Sequence, residues 1–154
     1  MRKSEREITD RAEIDAIIRG CQVCRLGMTD GAEPYIVPLC FGYDGRSLYF
    51  HCANEGRKLE ILERHNRVCF EFDAVESMVA AAEACDWSIR YRSVMGTGTA
   101  HVIRDAVAKR QALVLVMAQY ASGRAFTFPE ASVTRTTVIR VDIAGLTGKQ
   151  SKRT

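Results

Sequence analysis

Hydrophobic and polar residues alternate in several segments of this chain, with the period expected of β-strands that have one buried face. Six segments show the pattern, over residues 22–28, 35–42, 47–53, 67–72, 89–103 and 134–143. Asp44-Gly45 separates the second segment from the third, and Asp-Gly between two apolar runs is typical of a β-hairpin. The pattern therefore predicts antiparallel strands rather than a doubly wound parallel sheet.

Helical spacing of apolar residues is found in three segments, residues 10–20, 55–65 and 105–120. Thr9 or Asp10 is expected to cap the first helix, Gly20 to end it, and Asn54 to cap the second. Together the strands and helices predict one domain over residues 1–154, an antiparallel six-stranded barrel with peripheral helices.

The remaining segments have weaker patterns. Residues 73–86 are small and acidic, which predicts either a weak helix or a loop, and residues 121–132 are expected to form a loop. Residues 145–154 are interpreted as a basic tail. Gly96, Gly98 and Ala100 fall on one face of segment 89–103, so that face has room for a closely approaching surface, such as that of a second subunit.

Composition excludes several classes of protein. With 47% hydrophobic and 27% charged residues over 154 positions, the chain is neither disordered nor collagen-like. The formal net charge of +3 is too small to indicate a nucleic-acid-binding protein, although it suits a small anionic ligand. No apolar run approaches the roughly 20 residues of a membrane span, and the polar start is unlike a signal peptide. We therefore expect a cytoplasmic protein that binds neither nucleic acid nor membrane.

The six cysteines suggest neither a disulfide framework nor a metal site. Cys21 and Cys24 are spaced as in metal and dithiol sites, but a zinc site needs two further ligands at a matching spacing. The three histidines, His51, His65 and His101, are scattered. We expect no metal, and interpret the cysteine pair as small buried hydrophobic residues.

Common catalytic motifs are missing, including the P-loop, a GxGxxG turn after a strand, the GxSxG elbow and HExxH. The strongest chemical signal is at the start of the second predicted helix, where Arg57 and Lys58 follow Gly56. Cations at a helix N-terminus are unfavourable unless an anion is bound there, so these two residues are candidate phosphate ligands. The alternative is a solvated charge pair on the protein surface.

Two further positions lie on neighbouring strands. His51 shares the polar face of segment 47–53 with Ser47 and Tyr49, where a histidine can donate to a ligand or transfer a proton near neutral pH. Pro38 cannot donate a backbone hydrogen bond, which places its segment at a sheet edge or an opening where backbone groups are free for a planar ligand. The alternatives are a hydrogen-bonded sheet residue and a simple edge strand.

The segment that starts the longest strand combines aromatic and basic side chains, Trp87, Arg90, Tyr91 and Arg92. Such a combination suits a flat charged ligand or a subunit interface. An exposed strand anchored in the core by the tryptophan is the alternative.

In chain order, these segments resemble the pyridoxamine 5′-phosphate oxidase-related flavoproteins, and among them the 5-nitroimidazole-resistance (Nim-type) branch. The resemblance covers about residues 5–148. The motifs that carry it are Val23-Cys24-Arg25-Leu26, Pro34-Tyr35-Ile36-Val37-Pro38-Leu39, Phe41-Gly42-Tyr43-Asp44-Gly45, Leu48-Tyr49-Phe50-His51, Glu55-Gly56-Arg57-Lys58, Arg67-Val68-Cys69-Phe70-Glu71, Cys85-Asp86-Trp87-Ser88 and Tyr91-Arg92-Ser93-Val94-Met95-Gly96.

The resemblance implies a mainly β fold, an FMN-binding split β-barrel of Greek-key topology, in a homodimer with FMN at the subunit interface. It implies FMN contacts from two groups of residues. The first is Val37, Pro38, Leu39, Cys40, His51, Cys52, Ala53, Arg57 and Lys58, with the two cations on the phosphate and the backbone of the first three residues facing the flavin ring. The second is Trp87, Arg90 and Ser93, near the ring and contributed by either subunit. His51 matches the residue proposed to be active in the Nim-type branch.

Two positions depart from the pattern of the family. Cys40 stands where relatives often carry Asn, and Cys52 stands where they often carry Ser. A thiol is a poorer donor than a hydroxyl, and one neutral hydrogen bond contributes about 1 kcal/mol. Neither change removes the two cations.

The function that the resemblance implies is a flavin-dependent oxidoreductase that takes electrons from NAD(P)H or another donor and passes them to a small acceptor, such as a nitroaromatic compound. The alternatives are a flavin- or haem-binding module without turnover, or a scaffold with an empty site. Pyridoxamine phosphate oxidase activity is not favoured, because the candidate substrate-phosphate ligands, Arg135 and Arg140, are expected on opposite faces of one strand.

Overall fold

The computed structural model describes residues 4–151 and has the predicted mainly β architecture with peripheral helices. The strands β1 to β8 are Glu7–Ile8, Cys24–Thr29, Pro34–Leu39, Gly42–Tyr43, Ser47–Cys52, Arg67–Val79, Ser88–Ile103 and Thr137–Gln150. The helices α1 to α4 are Arg11–Gly20, Arg57–Arg64, Ala106–Tyr120 and Glu130–Thr134. Short 3-10 turns span Ser4–Arg6 and Ala84–Asp86.

The eight strands form one antiparallel sheet in the order β3-β2-β6-β7-β8-β5-β4, with β1 added to β8. Six of them are long and correspond to the six predicted strands, whereas β1 and β4 have two residues each. Within the described residues, the edge strands β3 and β4 do not pair with each other. The sheet is therefore open, as in a split barrel, and β3 keeps one edge free.

The interior of the sheet is filled by aromatic and aliphatic side chains on its alternating inward positions. Phe41 and Phe72 pack edge to face, with ring centroids 4.9 Å apart. Helix α1 places Ile14, Ile17 and Ile18 against this cluster, after Asp10 caps it by accepting a hydrogen bond from the Ala12 amide at 2.9 Å. The apolar positions that the helical spacing predicts in α1 are thus the ones that pack into the core.

Two strands are longer than predicted. Residues 73–79, expected to be a weak helix or loop, continue β6, because they pair with β7 as far as Val79 opposite Ser88. Residues 145–150, expected to be a tail, continue β8 opposite β7. In both cases backbone pairing with the 16-residue β7 decides the conformation, although the local composition does not favour a strand. Residues 152–154 of the predicted tail lie outside the described residues.

Two other segments also differ from the prediction. The segment 35–42 is interrupted after Leu39, because the Phe41 amide donates to the Tyr120 hydroxyl at 2.9 Å instead of to a strand. Residues 130–134, divided in the prediction between a loop and a strand, form α4, so that β8 begins only at Thr137.

The small-residue face of β7 is not a surface for a second subunit, and that prediction is wrong. Gly96, Gly98 and Ala100 are buried inside the sheet. A Cβ atom on Gly96 would lie 2.3 Å from the ring of Phe70, so the close approach is made by the chain's own core.

Cys21 and Cys24 are buried as predicted for small hydrophobic residues, and all six cysteines are free thiols. Burial raises the pKa of the Cys24 thiol, which keeps it neutral. No group of three or more His, Cys, Asp or Glu side chains within residues 4–151 could hold a metal ion. The same residues contain no helix long and apolar enough to cross a membrane.

Candidate functional site

The turn between β5 and α2 leaves the first amides of a helix without a side-chain partner. Gly56, which precedes α2, has φ of 128° and ψ of 162°, a conformation essentially restricted to glycine. Its carbonyl accepts hydrogen bonds from the Leu59 and Glu60 amides, at 2.9 and 3.3 Å, but no side chain caps the helix. Among the described residues, the N–H groups of Arg57 and Lys58 at the helix start are therefore the ones open to an anion.

Asn54 does not cap this helix, contrary to the prediction. The helix begins at Arg57, and the Asn54 side chain instead donates to the Thr134 carbonyl at 3.0 Å. Its carbonyl oxygen accepts from the Thr137 hydroxyl at 2.9 Å. Asn54 thus ties the loop to α4 and β8, and leaves the helix end uncapped.

Arg57 is held beside the free edge of the sheet. Its guanidinium forms an ion pair with Glu33 at 3.0 Å and lies 5.1 Å from the ring centroid of Tyr35 on β3. Because the Arg57 side chain is half exposed and that of Glu33 more so, this ion pair is worth at most about 1 kcal/mol. An incoming anion can therefore displace Glu33 at small cost.

Lys58 lies near the end of β5, close enough to the Cys52 thiol for its positive charge to lower the pKa of that thiol. Burial raises the pKa of Cys52, and the charge of Lys58 only partly offsets that effect. Cys52 is therefore a neutral thiol near neutral pH. The positive charge of Lys58 is not cancelled by a thiolate and remains available to a ligand.

Strand β3 is an edge strand, as the proline indicated. Val37 and Leu39 are half-buried and pack against the core, whereas Pro38 points outward. Cys40, directly after the strand, and Ala53, directly after β5, are both exposed. Backbone groups on the outer edge of β3 therefore face open space next to Tyr35, the residue on which the Arg57 guanidinium stacks.

His51 is exposed on β5, on the face opposite the fully buried Phe50, so the predicted alternation is confirmed. It pairs with Val138 of β8 and directly precedes Cys52. An exposed imidazole thus lies near the end of the strand that precedes the loop to Lys58.

The second group of predicted ligands lies elsewhere in this chain. Trp87, 53% exposed, directly precedes β7, and Ser88 pairs with Val79 at the far end of β6. Through Arg25 of β2, Pro38 is level with Glu71 of β6, eight residues before Val79, which corresponds to roughly 26 Å of strand. Arg90 pairs with Ser77, roughly 20 Å of strand beyond Glu71, whereas Ser93, opposite Asp73, is nearer the site. One chain therefore does not bring Trp87 and Arg90 to Arg57.

Sequence reasoning missed Glu33 and Tyr35, the two residues that position Arg57. The Asp30 carboxylate shapes the turn before them by accepting hydrogen bonds from the Ala32 and Glu33 amides, at 3.0 and 2.9 Å. The turn residues Thr29-Asp30-Gly31 are visible in the sequence. Their proximity to a helix more than twenty residues later is not, because it depends on how α2 packs beside β2 and β3.

We expect Gly56→Ala to destabilise the fold by about 1–3 kcal/mol, because alanine is strained at this φ and ψ. No neighbouring atom lies within 4 Å of the added Cβ, so backbone strain rather than a clash is the cause. Urea unfolding of the variant measures this cost. Wild-type stability would show that the turn before α2 relaxes freely and does not fix the helix end.

A family model described as pyridoxamine 5′-phosphate oxidase matches residues 10–150 of the chain. No curated protein sequence matches it. Among solved structures, a candidate 5-nitroimidazole antibiotic resistance protein from Bacteroides thetaiotaomicron VPI-5482 is 35% identical, with a TM-score of 0.84 over 94% of this chain and 86% of that chain.

Two more distant structures show the same fold. A flavocytochrome from Azotobacter vinelandii is 24% identical, with a TM-score of 0.86 over 99% of this chain and 72% of that one. An FAD- and haem-binding protein from Mycobacterium smegmatis is 23% identical, with a TM-score of 0.87 over 96% and 74%. With a family model that spans nearly the whole sequence and a 35% identical relative, the chain belongs to the pyridoxamine 5′-phosphate oxidase-like family of split-barrel proteins.

Proposed function

We propose that this protein binds FMN and acts as a flavin-dependent oxidoreductase that reduces a small acceptor. The observation that carries the proposal is the open N-terminus of α2, with Arg57 and Lys58 in its first turn beside the free edge of β3. The proteins of the same fold described as a flavocytochrome and as FAD- and haem-binding support a flavin as the ligand.

The donor set at α2 fits a phosphate monoester. Lys58 supplies a point charge, Arg57 a planar fork, and the helix supplies uncapped amides. Cys52, as a neutral thiol, adds no negative charge to oppose the phosphate. These groups would hold the phosphate end of FMN.

The edge of β3 fits the flat part of the same molecule. Within the described residues its outer side pairs with no strand, so backbone groups of Val37, Pro38 and Leu39 would orient a planar heterocycle. Bound FMN supplies the transfer of electrons or hydride, which no side chain of the protein performs by itself.

A second copy of the chain would complete this site. Along the strands, Trp87 lies roughly 30 Å and Arg90 roughly 20 Å from the level of Pro38, so a second subunit would bring them to the same flavin. We therefore propose a homodimer in which each flavin is bound between two chains. NAD(P)H is the proposed electron donor.

A nitroaromatic acceptor is supported by the 35% identical relative, which is described as a candidate 5-nitroimidazole resistance protein. Oxidation of pyridoxamine phosphate is not proposed. Arg135 ends α4 instead of lying on the last strand as predicted, and Arg140 of β8 is paired with Asp142 at 2.9 Å. The two arginines do not form a second phosphate site.

The proposal is tested by the absorbance spectrum of the purified protein with added FMN, followed by NADPH titration with and without a nitroaromatic acceptor. We expect a bound-flavin spectrum that NADPH bleaches and the acceptor restores. A protein that binds no FMN at millimolar concentration contradicts the proposal. FMN binding without reduction leaves a flavin-binding module rather than an enzyme.

We expect His51→Ala to lower the turnover rate about 100-fold while FMN affinity stays within about threefold, because His51 would donate a proton to the acceptor. The readout is the pH profile of turnover by FMN-loaded protein. His65→Ala, at the other end of α2, is the matched control and should leave the profile unchanged. Full turnover by the His51 variant would remove this role.

A further inference from the structure

A polar cavity of about 280 Å³ lies on the other side of the loop that leads to α2. It is a half-open pocket between the end of β7, the beginnings of β8 and α3 and the end of α4, and its polar lining residues are Asn54, Arg104, Lys109, Thr134 and Thr137. The volume corresponds to roughly nine water molecules, which is ample for a phosphate group.

The charges around this cavity are positive. Arg104 has no hydrogen-bond or ion-pair partner among residues 4–151, and Lys109 only reaches the Val133 carbonyl, at 3.5 Å. No carboxylate lines the cavity. On the flanking helices, Asp105 accepts from the Ala108 amide as an N-cap, and Glu130 is paired with Arg110. Two cations without carboxylate partners among the described residues therefore line one half-open polar pocket.

The cavity is next to the proposed flavin phosphate site. Cys52, whose thiol lies near the charge of Lys58, pairs with Thr137, which lines the cavity. Strands β5, β8 and β7 are neighbours in the sheet, and Ile103, the last residue of β7, pairs with Val138 of β8. Arg104 directly follows Ile103. Two strand spacings separate the ends of β5 and β7, which is about 10 Å. Asn54, in the loop between β5 and α2, also lines the cavity.

We propose that this cavity binds a phosphate of an adenine dinucleotide, through the charges of Arg104 and Lys109 and the second N–H of the Asn54 side-chain amide. This inference rests on the proposed function, because it adds a second phosphate position beside the one at α2. The dinucleotide is either FAD in place of FMN, or the nicotinamide dinucleotide that donates electrons. Both present a phosphate with the same chemistry.

The test compares FMN, FAD and ADP affinities and the KM for NADPH in wild type, Arg104→Gln and Lys109→Gln. Loss of one charge-assisted hydrogen bond to phosphate is expected to weaken the dinucleotide and ADP about tenfold, with FMN affinity unchanged. Arg124→Gln is the matched control, because this substitution removes the same charge at a distant position. Arg124 follows the opposite end of α3 and stacks on Phe126.

The pattern of losses identifies the ligand. If the two variants lose FAD affinity tenfold and keep FMN affinity, the cavity binds the flavin dinucleotide. If instead the KM for NADPH of the FMN-loaded variants rises tenfold, the cavity binds the electron donor. Equal values in wild type and both variants for FAD, ADP and NADPH overturn the inference. If wild type binds no FMN, the proposed function fails, and the ADP titration alone still decides the cavity.

Discussion

Replacing Arg57 and Lys58 together by glutamine is expected to weaken FMN binding by about 100-fold or more. Each cation would make a charge-assisted hydrogen bond to the phosphate, and such bonds contribute about 1.5–3 kcal/mol apiece. Arg57 must leave Glu33 to reach the ligand, but that exposed ion pair opposes it by at most about 1 kcal/mol. The dissociation constant, measured by flavin fluorescence at fixed salt, checks this expectation.

The matched control removes two positive charges from the same part of the protein without touching the helix start. Arg64→Gln with Arg67→Gln changes the last turn of α2 and the first residue of β6, both exposed. We expect this control to bind FMN within about threefold of wild type, because the general field of the protein is screened at ordinary salt. Equal weakening in both double variants would mean that net charge, and not the α2 site, holds the phosphate.

Gly98→Ala is expected to lower the free energy of unfolding by about 3 kcal/mol, because the added methyl group has no space. A Cβ at this position would lie 2.5 Å from the Asp142 carbonyl oxygen and 2.7 Å from a methyl group of Val141. The first contact is with backbone, which cannot rotate away. Strands β7 and β8 would have to separate where their register already shifts, between Thr97 and Gly98. Urea unfolding measures the change.

Gly20→Ala is the control for the glycine substitution itself. Gly20 ends α1, has no positive φ, and no atom lies within 4 Å of an added Cβ. We expect its stability to remain within about 1 kcal/mol of wild type, since alanine restricts the unfolded chain and suits a helix. If Gly98→Ala is no more destabilising than this control, β7 and β8 are less tightly packed than their contacts indicate.

The sequence by itself determined the parts of this protein that depend on local periodicity and local backbone chemistry. Alternation located six strands and placed Phe50 inside and His51 outside, because successive strand residues point to opposite faces. Pro38 marked an edge strand, since proline lacks the donor that an interior strand needs. The spacing of Leu59, Ile61 and Leu62 located the second helix, although it begins at Arg57, two residues later than predicted.

Only the tertiary structure decided where distant residues meet and how far weak segments extend. Residues 73–79 are a strand because β7 supplies backbone partners along their length, and their own composition does not specify this. The pairing of Arg57 with Glu33, and the meeting of Arg104 with Asn54 across one cavity, join residues whose spacing carries no signal. Contacts of this kind depend on strand order, and strand order follows from the burial of the whole core rather than from any short stretch of sequence.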